Sequence, residues 1–333
     1  MARRDVYPVF IPHLGCPNEC VFCDQRRISG SPLPASGRDV AAALERAKAD
    51  GLSGLELAYY GGSFTAVAPA LQEELLTAAQ PYRADGTIGL IRLSTRPDAI
   101  NGATIERLRR FGVSMVELGA QSMDDAVLAA SARGHTAAET EAAARELRAA
   151  GFTLVLQMMT GLPGADRESD IGTARRLIAL QPDGVRIYPT VIVENTELCD
   201  MWRAGTYREH TVEDAVETCA AILPLFETAG IPVIRLGLNP TEELSGGAAV
   251  AGAYHPALGE LVRSELMRRQ AAVLLRDVPA GSSVTLGVAP NRVSAMTGQH
   301  RRNIERLTEE FQLSALRVRA VPEARDNEIL MVD

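Results

Sequence analysis

With 333 residues, of which 46% are apolar and 23% charged, and a mean hydropathy near zero, the chain has the material for a sizeable buried core. That composition excludes a fibre, a mini-protein and a disordered chain. No run approaches the ~20 apolar residues of a membrane span and the Arg3–Arg4 start lacks a cleavage-like site, so a cytoplasmic protein with no membrane partner is expected. The net charge of −8 gives no general attraction for nucleic acid, which leaves only a local patch for such a partner.

From Val6 to about Arg235 short apolar runs alternate with amphipathic stretches, the pattern of repeated βαβ units. The predicted strands are Val6–Ile11, Leu55–Tyr60, Ile88–Ser94, Val113–Leu118, Phe152–Met158, Val185–Tyr188 and Val233–Leu236. Between them the spacing predicts helices at about Arg38–Ala49, Pro69–Ala79, Thr104–Arg110, Ala137–Ala149, Arg167–Ala179 and Val212–Ala229. Gly51, Gly112, Gly151 and Gly230 each stand where a helix would end in a left-handed cap. Near-continuous apolar strands imply a parallel sheet covered on both faces. Periodicity leaves open whether that sheet is flat or curls into a full or partial barrel, but in either case ligands gather at the carboxyl ends of its strands. After a helix at about Ala257–Arg276 the pattern changes to a strand at Val284–Val288, a helix at Arg292–Phe311 and strands at Ala315–Val321 and Ile329–Val332. The expected division is residues 1–278 for the main α/β body with its extension and 279–333 for a small α/β module, parted at Pro279–Gly281.

Five cysteines, an odd number, argue against a disulfide framework and for metal or redox chemistry. Three of them fall directly after the first strand, in His13-Leu14-Gly15-Cys16-Pro17-Asn18-Glu19-Cys20-Val21-Phe22-Cys23. Thiolates of Cys16, Cys20 and Cys23 can hold three corners of an iron–sulfur cube and leave a fourth iron open to a ligand. A structural zinc site, with His13 or a later cysteine as fourth donor, uses the same residues. Phe22 can shield a cluster from solvent. Cys199 and Cys219 fall at helical positions and read as buried apolar residues.

This C-x3-C-x-aromatic-C loop resembles the defining motif of the radical S-adenosylmethionine (SAM) superfamily, in which the amino and carboxylate groups of SAM chelate the open iron. The second strand ends Tyr59-Tyr60-Gly61-Gly62-Ser63-Phe64, similar to the superfamily's glycine segment that receives the SAM amino group. More narrowly, Ser94-Thr95-Arg96-Pro97-Asp98, Glu117-Leu118-Gly119-Ala120-Gln121-Ser122, Arg133-Gly134-His135-Thr136, Met159-Thr160-Gly161-Leu162-Pro163-Gly164 and Ile187-Tyr188-Pro189-Thr190 resemble the radical SAM half of the elongator catalytic subunit, over about residues 6–235. The resemblance implies a partial (β/α)6 barrel of the radical SAM type, a 4Fe-4S cluster on Cys16, Cys20 and Cys23, and S-adenosyl-L-methionine held by Gly61, Gly62, Ser63, Thr95, Arg96, Gln121, Ser122, Arg133 and Gly161. Gln121 and Ser122 would face the ribose or methionine part and Arg133 the carboxylate, while Gly161 and Gly164 shape the adenine pocket. It also implies a reductant protein of ferredoxin or flavodoxin type. The elongator subunit carries an acetyltransferase domain after its radical half; the 98 residues after Arg235 are too few for a comparable domain, so the acetyl-dependent reaction does not carry over.

Tyr254-His255-Pro256 precedes a predicted helix, and His255 is a candidate for moving a proton; Tyr188 and Tyr59 are candidate substrate-facing aromatics. Between Arg268 and Arg319 nine arginines face Asp277, Glu305, Glu309 and Glu310, a local balance of +5. There Gly298-Gln299-His300-Arg301-Arg302-Asn303 weakly resembles the loop and helix of a KH-type RNA-binding module, with Arg301 where the second glycine belongs. The ordinary reading is a solvated face with weak i,i+3 and i,i+4 pairs. The expected function is a radical SAM enzyme cleaving SAM to a 5′-deoxyadenosyl radical and acting on RNA or tRNA through this module. The alternatives are a radical SAM enzyme of a small molecule such as a porphyrinogen, and a non-catalytic zinc-binding module.

Overall fold

The computed structural model of the chain describes residues 5–11, 13–17, 20–24, 33–238 and 244–332; Asn18 and Glu19 of the cysteine loop lie outside them. Seven strands form one sheet: β1 (Val6–Phe10), β2 (Leu55–Tyr60), β3 (Ile88–Thr95), β4 (Met115–Gln121), β5 (Thr153–Thr160), β6 (Gly184–Pro189) and β8 (Val233–Leu236). They lie in that order and every neighbouring pair is parallel. The sheet curls into a partial barrel, with β1 and β8 as its edges among the described residues.

The helices α1 (Gly37–Ala49), α2 (Pro69–Ala84), α3 (Gly102–Arg110), α4 (Asp125–Ala130), α5 (Ala137–Ala149), α6 (Arg167–Ala179), α7 (Glu197–Arg203) and α8 (Val212–Thr228) fall between these strands. Their starts are written in capping residues. Ser36 with Asp39, Thr136 with Glu139, Asp166 with Ser169 and Thr211 with Asp214 each close a reciprocal capping box, which satisfies amides that no helical carbonyl can reach. Gly51, Gly112, Gly151 and Gly230 have the positive φ expected of them. Leu44, Leu75, Leu108, Leu147, Leu177 and Phe226 bring the helical stripes onto the sheet's outer face with no exposure, and each such side chain contributes roughly 1.5–3 kcal/mol of burial. Of the two short helices, α7 holds Cys199, expected at a helical position, and neither α4 nor α7 has predicted bounds.

A short antiparallel pair, β7 (Val191–Val193) with β9 (Ala249–Gly252), stands beside the carboxyl end of the barrel. Helix α9 (Leu258–Leu275) then leads to the small module, whose three strands β10 (Ser283–Val288), β11 (Ala315–Ala320) and β12 (Ile329–Val332) lie in the order β11-β10-β12. The single helix predicted over Arg292–Phe311 is two, α10 (Val293–Thr297) and α11 (Arg302–Glu310). Between them Gly298, His300 and Arg301 adopt positive φ, which no α-helix tolerates. Val262 of α9 belongs to the barrel core, whereas Met267, Ala271 and Leu275 belong to the core of the module.

Candidate active site

A cavity of about 770 Å³ opens at the carboxyl ends of the barrel strands, within the usual range of ligand pockets. The cysteine loop closes one side. Its backbone docks on the end of β2: Ile11 N donates to Tyr60 O (2.8 Å), His13 N to Gly61 O (2.9 Å), and Ser63 N to Leu14 O (2.8 Å). A Cβ on Gly62 would stand 2.5 Å from the carbonyl oxygens of both Ile11 and Leu14, so the glycine is what lets the loop sit down on the strand end.

Cys16, Cys20, Cys23 and Phe22 all line the cavity. Cys20 is buried and accepts a hydrogen bond at Sγ from Arg133 Nη1 at 3.5 Å, while Arg133 Nη2 donates to Gly119 O at 2.9 Å. Burial pushes the Cys16 thiol up and Arg133 opposes that shift, so buried sulfur here favours a cationic partner. The donor set fits an iron–sulfur cluster, which takes one thiolate at each of three separate corners. A lone zinc ion would need its donors gathered around one point, with His13 or a later cysteine as the fourth. His13 Nε2 instead stands 4.0 Å from Asp24 Oδ1.

The ends of β2 and β3 interlock behind the cysteines. Ser63 Oγ shares a 3.1 Å hydrogen bond with Thr95 Oγ1 and accepts one from Arg96 N, also at 3.1 Å. Arg96 is spent on Asp98 Oδ1 (2.6 Å) and Arg133 O (2.8 Å), and its Nη1 is buried at the cavity wall with no hydrogen-bond partner among the described residues. Gln121 ends β4 in the left-handed region, with φ of 64°. Strain of this kind in a non-glycine residue survives only where the surroundings enforce it. Its side chain faces the cavity, paired with Gln157 through a 2.6 Å bond from Gln157 Nε2 to Gln121 Oε1.

Gly61, Gly62, Ser63, Thr95, Arg96, Gln121, Arg133 and Tyr188 therefore meet the three cysteines at one cavity. Ser122, Gly161 and His255 are not among the residues that line it. Ser122 is buried behind the strand end, sharing a hydrogen bond with Thr173 Oγ1 (3.2 Å) and accepting Asp124 N (3.1 Å). Gly161 faces a second hollow: a Cβ there would strike the His210 ring at 2.1 Å. Its amide donates to Asp170 Oδ2 (3.0 Å) and its carbonyl accepts from Tyr207 OH (2.6 Å). His255 stands at the start of α9, where Nδ1 accepts Ala257 N at 3.1 Å. Tyr59 is fully buried and donates to Leu75 O among the helices; strand alternation puts its neighbour Tyr60 on the cavity face instead.

The inner wall carries a charged network that pattern reading passed over. Arg92 Nη1 meets Glu56 Oε1 at 2.6 Å and its Nη2 meets Glu117 Oε2 at 2.7 Å. Arg186 Nε lies 3.0 Å from the same Glu117 oxygen, and Arg186 Nη1 donates to Tyr188 OH at 3.1 Å. Both guanidiniums lie over the Tyr60 ring, 5.6 and 5.9 Å from its centroid, within cation–π range. The signal was one charged residue in the middle of each otherwise apolar strand.

Comparison with known proteins agrees with this arrangement. The family model described as the radical SAM superfamily matches residues 10–177, and that of the radical SAM C-terminal domain matches residues 182–268. A tRNA uridine(34) acetyltransferase of Methanocaldococcus jannaschii is 34% identical over 128 residues, 38% of this chain and 24% of that protein. Human elongator complex protein 3 is 32% identical over 138 residues, 40% of this chain and 25% of that protein. The matched part thus spans about a quarter of the length of these curated relatives. Among solved structures, an archaeal Elp3 of Methanocaldococcus infernus superposes with a TM-score of 0.63 at 23% identity, covering 80% of this chain and 64% of that one. Coproporphyrinogen III oxidase of Escherichia coli superposes with a TM-score of 0.52 at 18% identity, covering 68% and 54%. Among the described residues no helix is long and apolar enough to cross a membrane.

Proposed function

This chain belongs to the radical SAM superfamily of enzymes, which use a 4Fe-4S cluster and S-adenosylmethionine, and on that premise we propose that it cleaves SAM reductively in order to modify RNA, tRNA foremost. The observation that carries the reading is the meeting, at one cavity, of three thiols, a guanidinium bonded to one of them and the Gly61–Gly62 turn. When bound, the cluster supplies the electron that splits SAM and yields a 5′-deoxyadenosyl radical competent to take a hydrogen atom.

Cys16, Cys20 and Cys23 would hold the cluster. Arg133 offers its fork to the carboxylate of SAM, a match of planar geometry as well as charge. The backbone of Gly61 and Gly62, with Ser63 fixed by Thr95 and Arg96, receives the amino group. Gln121 presents both donor and acceptor to the ribose hydroxyls. Ser122 and Gly161 act from behind, the first by fixing the turn after β4 and the second by shaping the loop after β5. Phe22 keeps water from the metal. Tyr188 faces the substrate. An electron donor of the ferredoxin or flavodoxin type follows from the chemistry.

Action on RNA is supported by the name of the archaeal relative, a tRNA uridine(34) acetyltransferase, and by the module. Its Gly298–Arg301 turn, with Arg301, Arg302 and Arg306 exposed, offers a KH-like contact for a phosphate backbone. Two measurements test the reading. The anaerobically reconstituted chain should release 5′-deoxyadenosine from SAM on reduction, and Cys20→Ala should abolish the release; retention in that variant overturns the cluster assignment. Crosslinked RNA should protect Gln299–Arg306, and its failure to do so removes the module from substrate binding.

A further inference from the structure

Two arginines stand side by side on the cavity wall. Arg186 of β6 and Arg235 of β8 are register partners, and both line the cavity together with Tyr188. Like charges facing each other across neighbouring strands repel, and here the carboxylates do not balance them. Glu56 and Glu117 serve Arg92, and Glu117 is shared with Arg186. Arg235 spends Nε on Gly237 O and Nη2 on Leu238 O, both at 3.1 Å, and forms no ion pair among the described residues. Among the described residues, three guanidiniums of this wall therefore meet two carboxylates. Arg186 Nη2 and Arg235 Nη1 have no hydrogen-bond partner among the described residues, and neither atom is fully buried. Tyr188 OH accepts from Arg186, which leaves its own hydrogen to give.

We propose that Arg186, Arg235 and Tyr188 form an oxyanion subsite that holds a phosphate ester of the substrate nucleotide beside the cation-capped Tyr60 ring. Converging guanidinium and hydroxyl donors suit phosphate oxygens, and one added anion neutralises the surplus cation of the wall. The assignment rests on the reading of the cavity as a SAM and RNA site, and it adds which atoms of the substrate the protein grips.

The full chain, reconstituted without oxygen, is titrated with uridine 5′-monophosphate, uridine, a uridine pentanucleotide and glutarate by calorimetry, and with SAM in the same preparations. A phosphate-bearing ligand should bind about tenfold or more tightly than uridine, the usual scale of a charge-assisted contact. Arg235→Gln should remove most of that advantage and leave uridine within about twofold. Tyr188→Phe, which preserves the ring, should remove a smaller part. If only the pentanucleotide shows the advantage, the phosphate belongs to an RNA chain; if only the mononucleotide does, it belongs to a free nucleotide. An equal affinity for uridine and its monophosphate, no response to Arg235→Gln, or glutarate binding as tightly as the nucleotide overturns the subsite. Absence of SAM binding by the wild type instead overturns the underlying reading.

Discussion

Asp170 offers the sharpest test of how burial acts in this barrel. It is 3% exposed, has no cationic partner among the described residues, and accepts only the amide of Gly161. Burial lifts its carboxyl from an ordinary 3.8 to about 7, against the smaller lowering effect of that amide. In the unfolded chain the group loses its proton near pH 3.8, whereas in the folded protein it keeps the proton to about pH 7. Between those values the unfolded state binds fewer protons, so stability falls as pH rises. At 1.36 kcal/mol per unit, the penalty grows from about 0.5 kcal/mol at pH 4 to about 4 kcal/mol at pH 8. Asp170→Asn keeps an oxygen for the Gly161 amide and removes the titration. Urea unfolding of the metal-free protein should show the variant more stable by roughly that amount at pH 8 and nearly equal at pH 4. A difference that does not change with pH, or that grows toward acid, refutes the reasoning.

Cys20→Ala should lower reconstituted iron from about four per chain to well below one, measured by iron assay and visible absorption, whereas Cys219→Ala, at a fully buried site in the barrel core, should keep its iron. Gly62→Ala places a methyl group 2.5 Å from two carbonyl oxygens and should destabilise the chain by roughly 1–3 kcal/mol with a loss of iron, both readable on one preparation. Glu117→Gln weakens the anion that Arg92 and Arg186 share. Because breaking a buried pair costs about 3–5 kcal/mol, chemical denaturation should show a comparable loss, and a change under about 1 kcal/mol would discount the network.

The linear order of strands and helices was legible because local rules govern it: capping residues at helix starts, glycines at their ends, and apolar runs for strands. The cysteine spacing was equally plain. Curvature was not, since it arises from the twist and stagger of seven strands together and leaves no mark in any one of them. For the same reason Arg92, Glu117 and Arg186 meant little in isolation; they become a network only when the register lines them up. Gly62 shows a subtler gap. The glycine pair suggested room for a ligand; at Gly62 the missing Cβ makes room for the backbone of the cysteine loop as well, while both glycines still line the cavity. His255 drew notice as a titratable group near a glycine-rich turn, but a neighbouring amide two residues on already uses its ring nitrogen. The break at Gly298–Arg301 was half legible: the Gly298 segment resembles a loop before a helix, but the polar, charged run from Arg292 to Phe311 reads as one helix until its backbone angles are known.

Helix α9 belongs to two interiors at once. Its first turns complete the barrel, its last turns roof the three-stranded sheet, and Asn303 Nδ2 of the module ties into its middle by bonds to Ser264 O and Ser264 Oγ, both 2.9 Å. Stripping away everything after residue 278 would leave Met267, Ala271 and Leu275 bare to water on a rod still anchored at its other end. The natural unit of melting is accordingly the whole chain, and an amide-exchange experiment should find the distal half of this rod protected only while the terminal strands remain in place.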